Sequence, residues 1–131
     1  DDKNDRVLIF ELLNYMKEQE LDYTNTFCFL MDQEIDDKKV YQNDKFNNWK
    51  TRWQKRLTKD SERLMKHNNP KIIPRNHNVE SVLKSAEDND LSPFNDLLKA
   101  LKNPYTDSKV LSKYQSPPPK SDEKYQTFCG T

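Results

Sequence analysis

Glycine is almost missing: the 131-residue chain holds one, Gly130. Strand-rich folds use glycine at hairpins and bulges, so a body without any points to helices joined by Asn, Asp, Ser and Pro. The same lack removes any glycine-rich cradle for phosphates, which argues against a nucleotide site inside this stretch. Apolar residues are scarce as well, 33% against 34% charged, where globular domains hold about 45–50% apolar and about 25% charged residues. The chain is long enough for a core of its own, but the core is thin and is expected to lean on a neighbour. No apolar run reaches the roughly 18 residues that span a membrane. The start DDKND reads as a cut end and not as a signal or transit peptide. There are two cysteines, at 28 and 129, and two histidines, at 67 and 77. That is no disulfide framework and no zinc-binding spacing.

Charge, by contrast, is abundant and sorted along the chain. The formal net charge is zero, yet residues 1–43 carry −6, residues 44–84 carry +7 and residues 85–131 carry −1. The fold class expected is all-α. In RVLIFELLNYMKEQE, Ile9, Leu12, Leu13 and Met16 recur at helical spacing. In LDYTNTFCFLMDQE, Asp22 is placed as an N-cap, with Tyr23, Phe27, Leu30 and Met31 as the stripe. Cys28 lies inside that helix and reads as a small buried hydrophobe. EIDDKKVYQNDK is a polar loop. FNNWKTRWQKRL puts Phe46, Trp49, Trp53 and Leu57 in one stripe, with Asp44 as cap and Arg52 and Arg56 beside it; DSERLMKHN is a shorter helical piece after it. Pro70 and Pro74 make NNPKIIPRN a turn. Val79, Val82, Leu83 and Ala86 mark the next helix. Ser92 and Pro93 open a last one, with Phe94, Leu97, Leu98 and Leu101 inward. From Tyr105 no period remains, and SPPPKSDEK reads as an extended, proline-stiffened tail. The expected organisation is a helical part over 1–104 and a tail over 105–131.

Two tryptophans in a basic segment are how single-stranded nucleic acid is held. Both, however, lie on the apolar stripe, and the arginines can pair with the acidic first third of the chain, so the expectation is a core and not a nucleic-acid surface. The histidines are isolated near helix ends, and the carboxylate pairs Asp1-Asp2 and Asp36-Asp37 lie in polar stretches. No catalytic, cofactor-binding or metal-binding residue is assigned.

One resemblance goes beyond these patterns. The run NPKIIPRNHNVESVLKSAEDNDLSPFNDLLKALKNPYTDS, followed by a proline cluster and then a cysteine third from the end, resembles the carboxy-terminal part of the selenoprotein O family. DYTNTF and FNNWKTRWQKRL match that family in the same order. The resemblance implies a protein-kinase-like fold that transfers AMP from ATP, with magnesium or another divalent metal, to Ser, Thr or Tyr hydroxyls of protein substrates. It places the nucleotide and metal residues upstream, so the fragment alone is expected to be inactive and to pack beside the kinase-like lobes of the same protein. It also implies a mitochondrial location for a eukaryotic source and a cytoplasmic one for a bacterial source. Cys129 matches the family's redox position, where a tail thiol can form a reversible disulfide with a cysteine elsewhere in the protein. The alternative is a stand-alone helical module that uses residues 44–84 on an acidic or nucleic-acid partner.

Overall fold

A computed structural model of the chain describes residues 2–32, 39–106 and 109–119. Six α-helices are found among them: α1 Asp2–Glu18, α2 Tyr23–Asp32, α3 Asp44–Gln54, α4 Ser61–Asn68, α5 Asn76–Glu87 and α6 Ser92–Leu101. Two 3-10 helices, Lys39–Tyr41 and Lys109–Tyr114, complete the regular structure, and no strand occurs among the described residues. The all-α expectation holds.

A chain without glycine in its body must still turn corners. Two of its helices end on a left-handed residue that carries a side chain, Glu20 after α1 (φ 51°) and Asn89 after α5 (φ 63°). In both places the amide of the next residue reaches back to a carbonyl in the last helical turn, Leu21 N to Met16 O at 2.8 Å and Asp90 N to Ser85 O at 2.9 Å. These bonds satisfy carbonyls that the helix end would otherwise leave open. Asp22 caps α2 as expected, accepting from Asn25 N at 2.8 Å. Two other caps differ from expectation by one residue. Asn43, not Asp44, caps α3, through Phe46 N at 2.9 Å. Ser92 is the first residue of α6, and its amide is held by Asp90 Oδ1 at 3.0 Å.

Two apolar clusters form. The first joins α1, α2 and α3 with Tyr41: Leu8, Leu12, Tyr15 and Met16 meet Phe29, Leu30, Phe46 and Trp49. The second joins α5, α6 and the 3-10 helix Lys109–Tyr114, through Ile72, Val82, Leu97, Ala100 and Tyr114.

Several expected stripes are rotated about their helix axes. α1 buries Leu8 and Tyr15 in place of Ile9 and Leu13, which are exposed. α2 buries Thr26 and Phe29 beside Leu30 and leaves Tyr23 exposed. α6 turns Leu97 and Ala100 inward and leaves Phe94 and Leu98 outward, and on α5 Leu83 is exposed. Leu57 is also exposed, because α3 ends at Gln54 and the residue lies beyond it. In each case the helix carries apolar residues on more than one side, so periodicity alone does not select the side that packs. Two aromatics were expected to lie in irregular stretches and instead belong to the core. Tyr41 stacks on Phe29 with centroids 4.1 Å apart, and Tyr114 closes the second cluster. Local pattern gave no sign of either, since a 3-10 turn is too short to show a period.

Candidate functional site

The strongest chemical candidate in the sequence, the basic segment with its tryptophans, is built on α3. The Asn43 cap fixes the start of that helix, and the spacing of Phe46, Trp49 and Trp53 then sends the three rings toward α1. Phe46 is 1% exposed and packs among Tyr15, Phe29, Tyr41 and Trp49. Trp49 is buried and donates its indole Nε1–H to Leu8 O at 2.8 Å. Trp53 lies parallel to it at 5.8 Å, only partly buried, and is the outer leaf of the stack. The rings therefore pack mainly on α1, and not on the α2 stripe of Phe27, Leu30 and Met31 alone.

The basic residues of α3 and of the turn that follows it reach over the same seam. Arg56 holds Asp5 with two bonds, Nε at 2.7 Å and a terminal nitrogen at 2.9 Å. Arg52 pairs with Glu11, and Lys45 with Glu18. The hydrogen bonds of Arg56 hold the Asp5 carboxyl below its usual range. All three pairs are solvent-exposed, where ion pairs add little to stability. Between α1 and α3 runs an open groove of about 410 Å³, whose polar lining includes Glu11, Asn14, Glu18, Lys45, Asn48 and Arg52. Among the described residues that line it there is no histidine, cysteine or serine.

A second polar constellation was not foreseen in the sequence. Arg75, 7% exposed, spans from the Pro74 turn to the start of α2 and grips Asp22 with two bonds of 2.7 and 2.8 Å. Asn25 sits beside the pair, and its amide nitrogen donates to Gln115 O at 3.1 Å. Burial pushes the Asp22 carboxyl up, but the Arg75 guanidinium and the Asn25 amide outweigh it, and the group lies below its ordinary 3.8. The Nε of Arg75 is buried and has no hydrogen-bond partner among the described residues. The signal that was available is that Arg75 follows a proline with no acid within helical reach, so its counter-charge had to come from a distant element.

Cys28 is buried, with Sγ 3.8 Å from Pro70 O, as its place in an apolar helix led us to expect. His67 lies exposed on the last turn of α4, Nδ1 2.8 Å from Arg63 O, and His77 lies half-buried on the first turn of α5. The two occupy different helices. Among the described residues no three His, Cys, Asp or Glu side chains are grouped to hold a metal, and no helix is long and apolar enough to cross a membrane. Cys129, Asp1 and the pair Asp36-Asp37 lie outside the described residues.

The affiliation of the chain rests on its sequence. The pattern of the family described as protein adenylyltransferase SelO matches residues 1–102. The chain belongs to the SelO family. Proteins named protein nucleotidyltransferase YdiU are similar to it throughout. That of Pelagibacter ubique is 53% identical over 137 residues, which cover 100% of this chain and 28% of the relative. That of Clostridium perfringens is 47% identical over 135 residues, with 98% and 28% covered. That of Alcanivorax borkumensis is 42% identical over 134 residues, with 97% and 28% covered. This SelO-family chain thus spans 28% of the length of the relatives it matches. No solved structure matches it.

Proposed function

We propose that the chain is the carboxy-terminal helical portion of a protein adenylyltransferase. The whole protein moves AMP from ATP to Ser, Thr or Tyr hydroxyls of protein substrates, with a divalent metal such as magnesium at the phosphates. The nucleotide and metal sites lie in sequence outside this chain, on kinase-like lobes against which the helices pack. The observation that carries this reading is one of coverage: the chain aligns over essentially its whole length with little more than a quarter of proteins named nucleotidyltransferases. Its own composition supports the same division, because with its single glycine at 130 the helical body has no loop that could wrap a triphosphate. The named relatives come from bacteria, which favours the cytoplasmic over the mitochondrial location.

The competing reading, a stand-alone module that uses residues 44–84 on an acidic or nucleic-acid partner, finds less support. Trp49 is taken up by the core, and Arg52, Arg56 and Arg75 each hold a carboxylate of the same chain.

The experiment follows the label. The full-length protein, incubated with magnesium and a protein acceptor, should pass label from ATP marked at the α-phosphate to the acceptor and none from ATP marked at the γ-phosphate. Calorimetry of the isolated chain with Mg-ATP should show no saturable binding tighter than about 0.1 mM. Transfer of the γ-label, or such binding by the chain itself, overturns the reading.

A further inference from the structure

The side of α1 that faces away from the core is not polar. Arg6, Ile9, Phe10, Leu13 and Lys17 stand at i, i+3, i+4, i+7 and i+11, one continuous stripe on an α-helix. Ile9 is 57% exposed, Phe10 63% and Leu13 38%. Single exposed apolar side chains are ordinary; a phenylalanine, an isoleucine and a leucine side by side on one helical stripe mark a surface that is covered in use.

The charges around the stripe indicate by what. Three acids of α1, Asp5, Glu11 and Glu18, are taken by Arg56, Arg52 and Lys45 across the seam with α3. Between Lys3 and Glu18 no acid falls on the outer stripe, whose ends are the cations Arg6 and Lys17. A second copy of the chain laid on this face would bring cation to cation with no acid between them. The three cations on this side, Lys3, Arg6 and Lys17, are also fewer than the basic clusters that hold helices on anionic membranes. An occupant from the same polypeptide is at hand by length, since the relatives extend to more than three times the part this chain covers.

We propose that the α1 stripe of Ile9, Phe10 and Leu13, bounded by Arg6 and Lys17, docks on another part of the same polypeptide. The receiving surface is apolar and edged by carboxylates. This rests on the reading of the chain as part of a longer protein, but not on the reaction that protein performs. Docking there covers apolar surface that the thin core of the chain cannot cover, and it fixes the first helix to the remainder of the molecule.

The test is made on the full-length protein carrying Phe10→Cys, with labelling at that position followed by peptide mass spectrometry, folded and in denaturant. Labelling should be about 100-fold slower in the folded protein, which should remain monomeric by light scattering. Ile9→Cys should behave alike, in case Phe10→Cys prevents folding. In the Phe10→Cys background, Arg6→Glu with Lys17→Glu should speed labelling about tenfold, or weaken docking by roughly 1.4 kcal/mol. Fast labelling in the folded monomer overturns the proposal. So does protection that appears only in a dimer at raised concentration, or only after vesicles of anionic phospholipid are added. Unchanged labelling in the double charge reversal overturns the carboxylate edge. None of these outcomes depends on AMP transfer, so a protein with a protected stripe and no such transfer would refute the proposed activity and leave the docking surface standing.

Discussion

Asp22 carries two duties on one carboxylate, cap of α2 and partner of Arg75. The pair is mostly buried, with side-chain exposures of 6% for Arg75 and 21% for Asp22. Removing one partner of a buried pair leaves the other charge uncompensated and costs about 3–5 kcal/mol. Asp22→Asn should therefore destabilise the protein at neutral pH by about 3 kcal/mol, at the lower end because water still reaches Asp22. The pH dependence has a definite sign. The folded carboxyl lies below its ordinary 3.8, so the stability it confers is present above that value and is lost as pH falls through the folded value. Urea unfolding from pH 6 to pH 2 should show a weaker acid loss in Asp22→Asn than in the wild type. An unchanged slope would mean that the pair contributes nothing to acid stability.

For the helices, the sequence made existence and approximate bounds legible, and it did so through particular residues. Pro70 and Pro74 separate α4 from α5, Pro93 opens α6, and Asp22 caps α2. What pattern could not decide was rotation. On α1 both the Leu8–Leu12–Tyr15–Met16 side and the Ile9–Phe10–Leu13 side are apolar, and only tertiary packing distinguishes them. The candidate site was legible to the same degree. That the basic residues of α3 would meet the acidic first third follows from the sorted charge, whereas the Asp22–Arg75 grip joins positions 53 residues apart, and the residues around Arg75 do not identify Asp22 as its partner. The register of α3 has a measurable result. Trp49→Ala should cost about 3–5 kcal/mol, since it empties the core and removes the indole bond to Leu8 O. Trp53→Ala should cost clearly less, because Trp53 stands at the edge of the stack. Equal losses in thermal or urea unfolding would place Trp53 in the core after all.

In the whole molecule, the two cysteines are expected to differ in reactivity. Cys28 is enclosed by α2 and the Pro70 turn, where a reagent cannot reach it. The family resemblance makes Cys129 the redox thiol: it would attack a small disulfide such as oxidised glutathione, and a second cysteine of the full protein would then displace the glutathione thiol to leave a disulfide between the two. A thiol reagent should label Cys129 under native conditions and Cys28 only after unfolding. In the full-length protein Cys129→Ser should make AMP transfer indifferent to added reductant. A reductant response that survives the substitution removes the redox role.

The bond from Asn25 to Gln115 joins residues 90 positions apart, and the Asp22–Arg75 pair joins residues 53 apart. Both meet at the first turn of α2. During synthesis, α1, α2 and α3 are complete by Gln54, so their shared cluster has all its residues before Arg75 is made. Until that point the start of α2 carries an acid with no cation to answer it. Until Gln115 has followed, the Asn25 amide must be satisfied by water. The stretch that ends in Gln115 thus locks an element made about 90 residues before it, and a chain broken off between α3 and α5 would keep its first cluster but lack both locks.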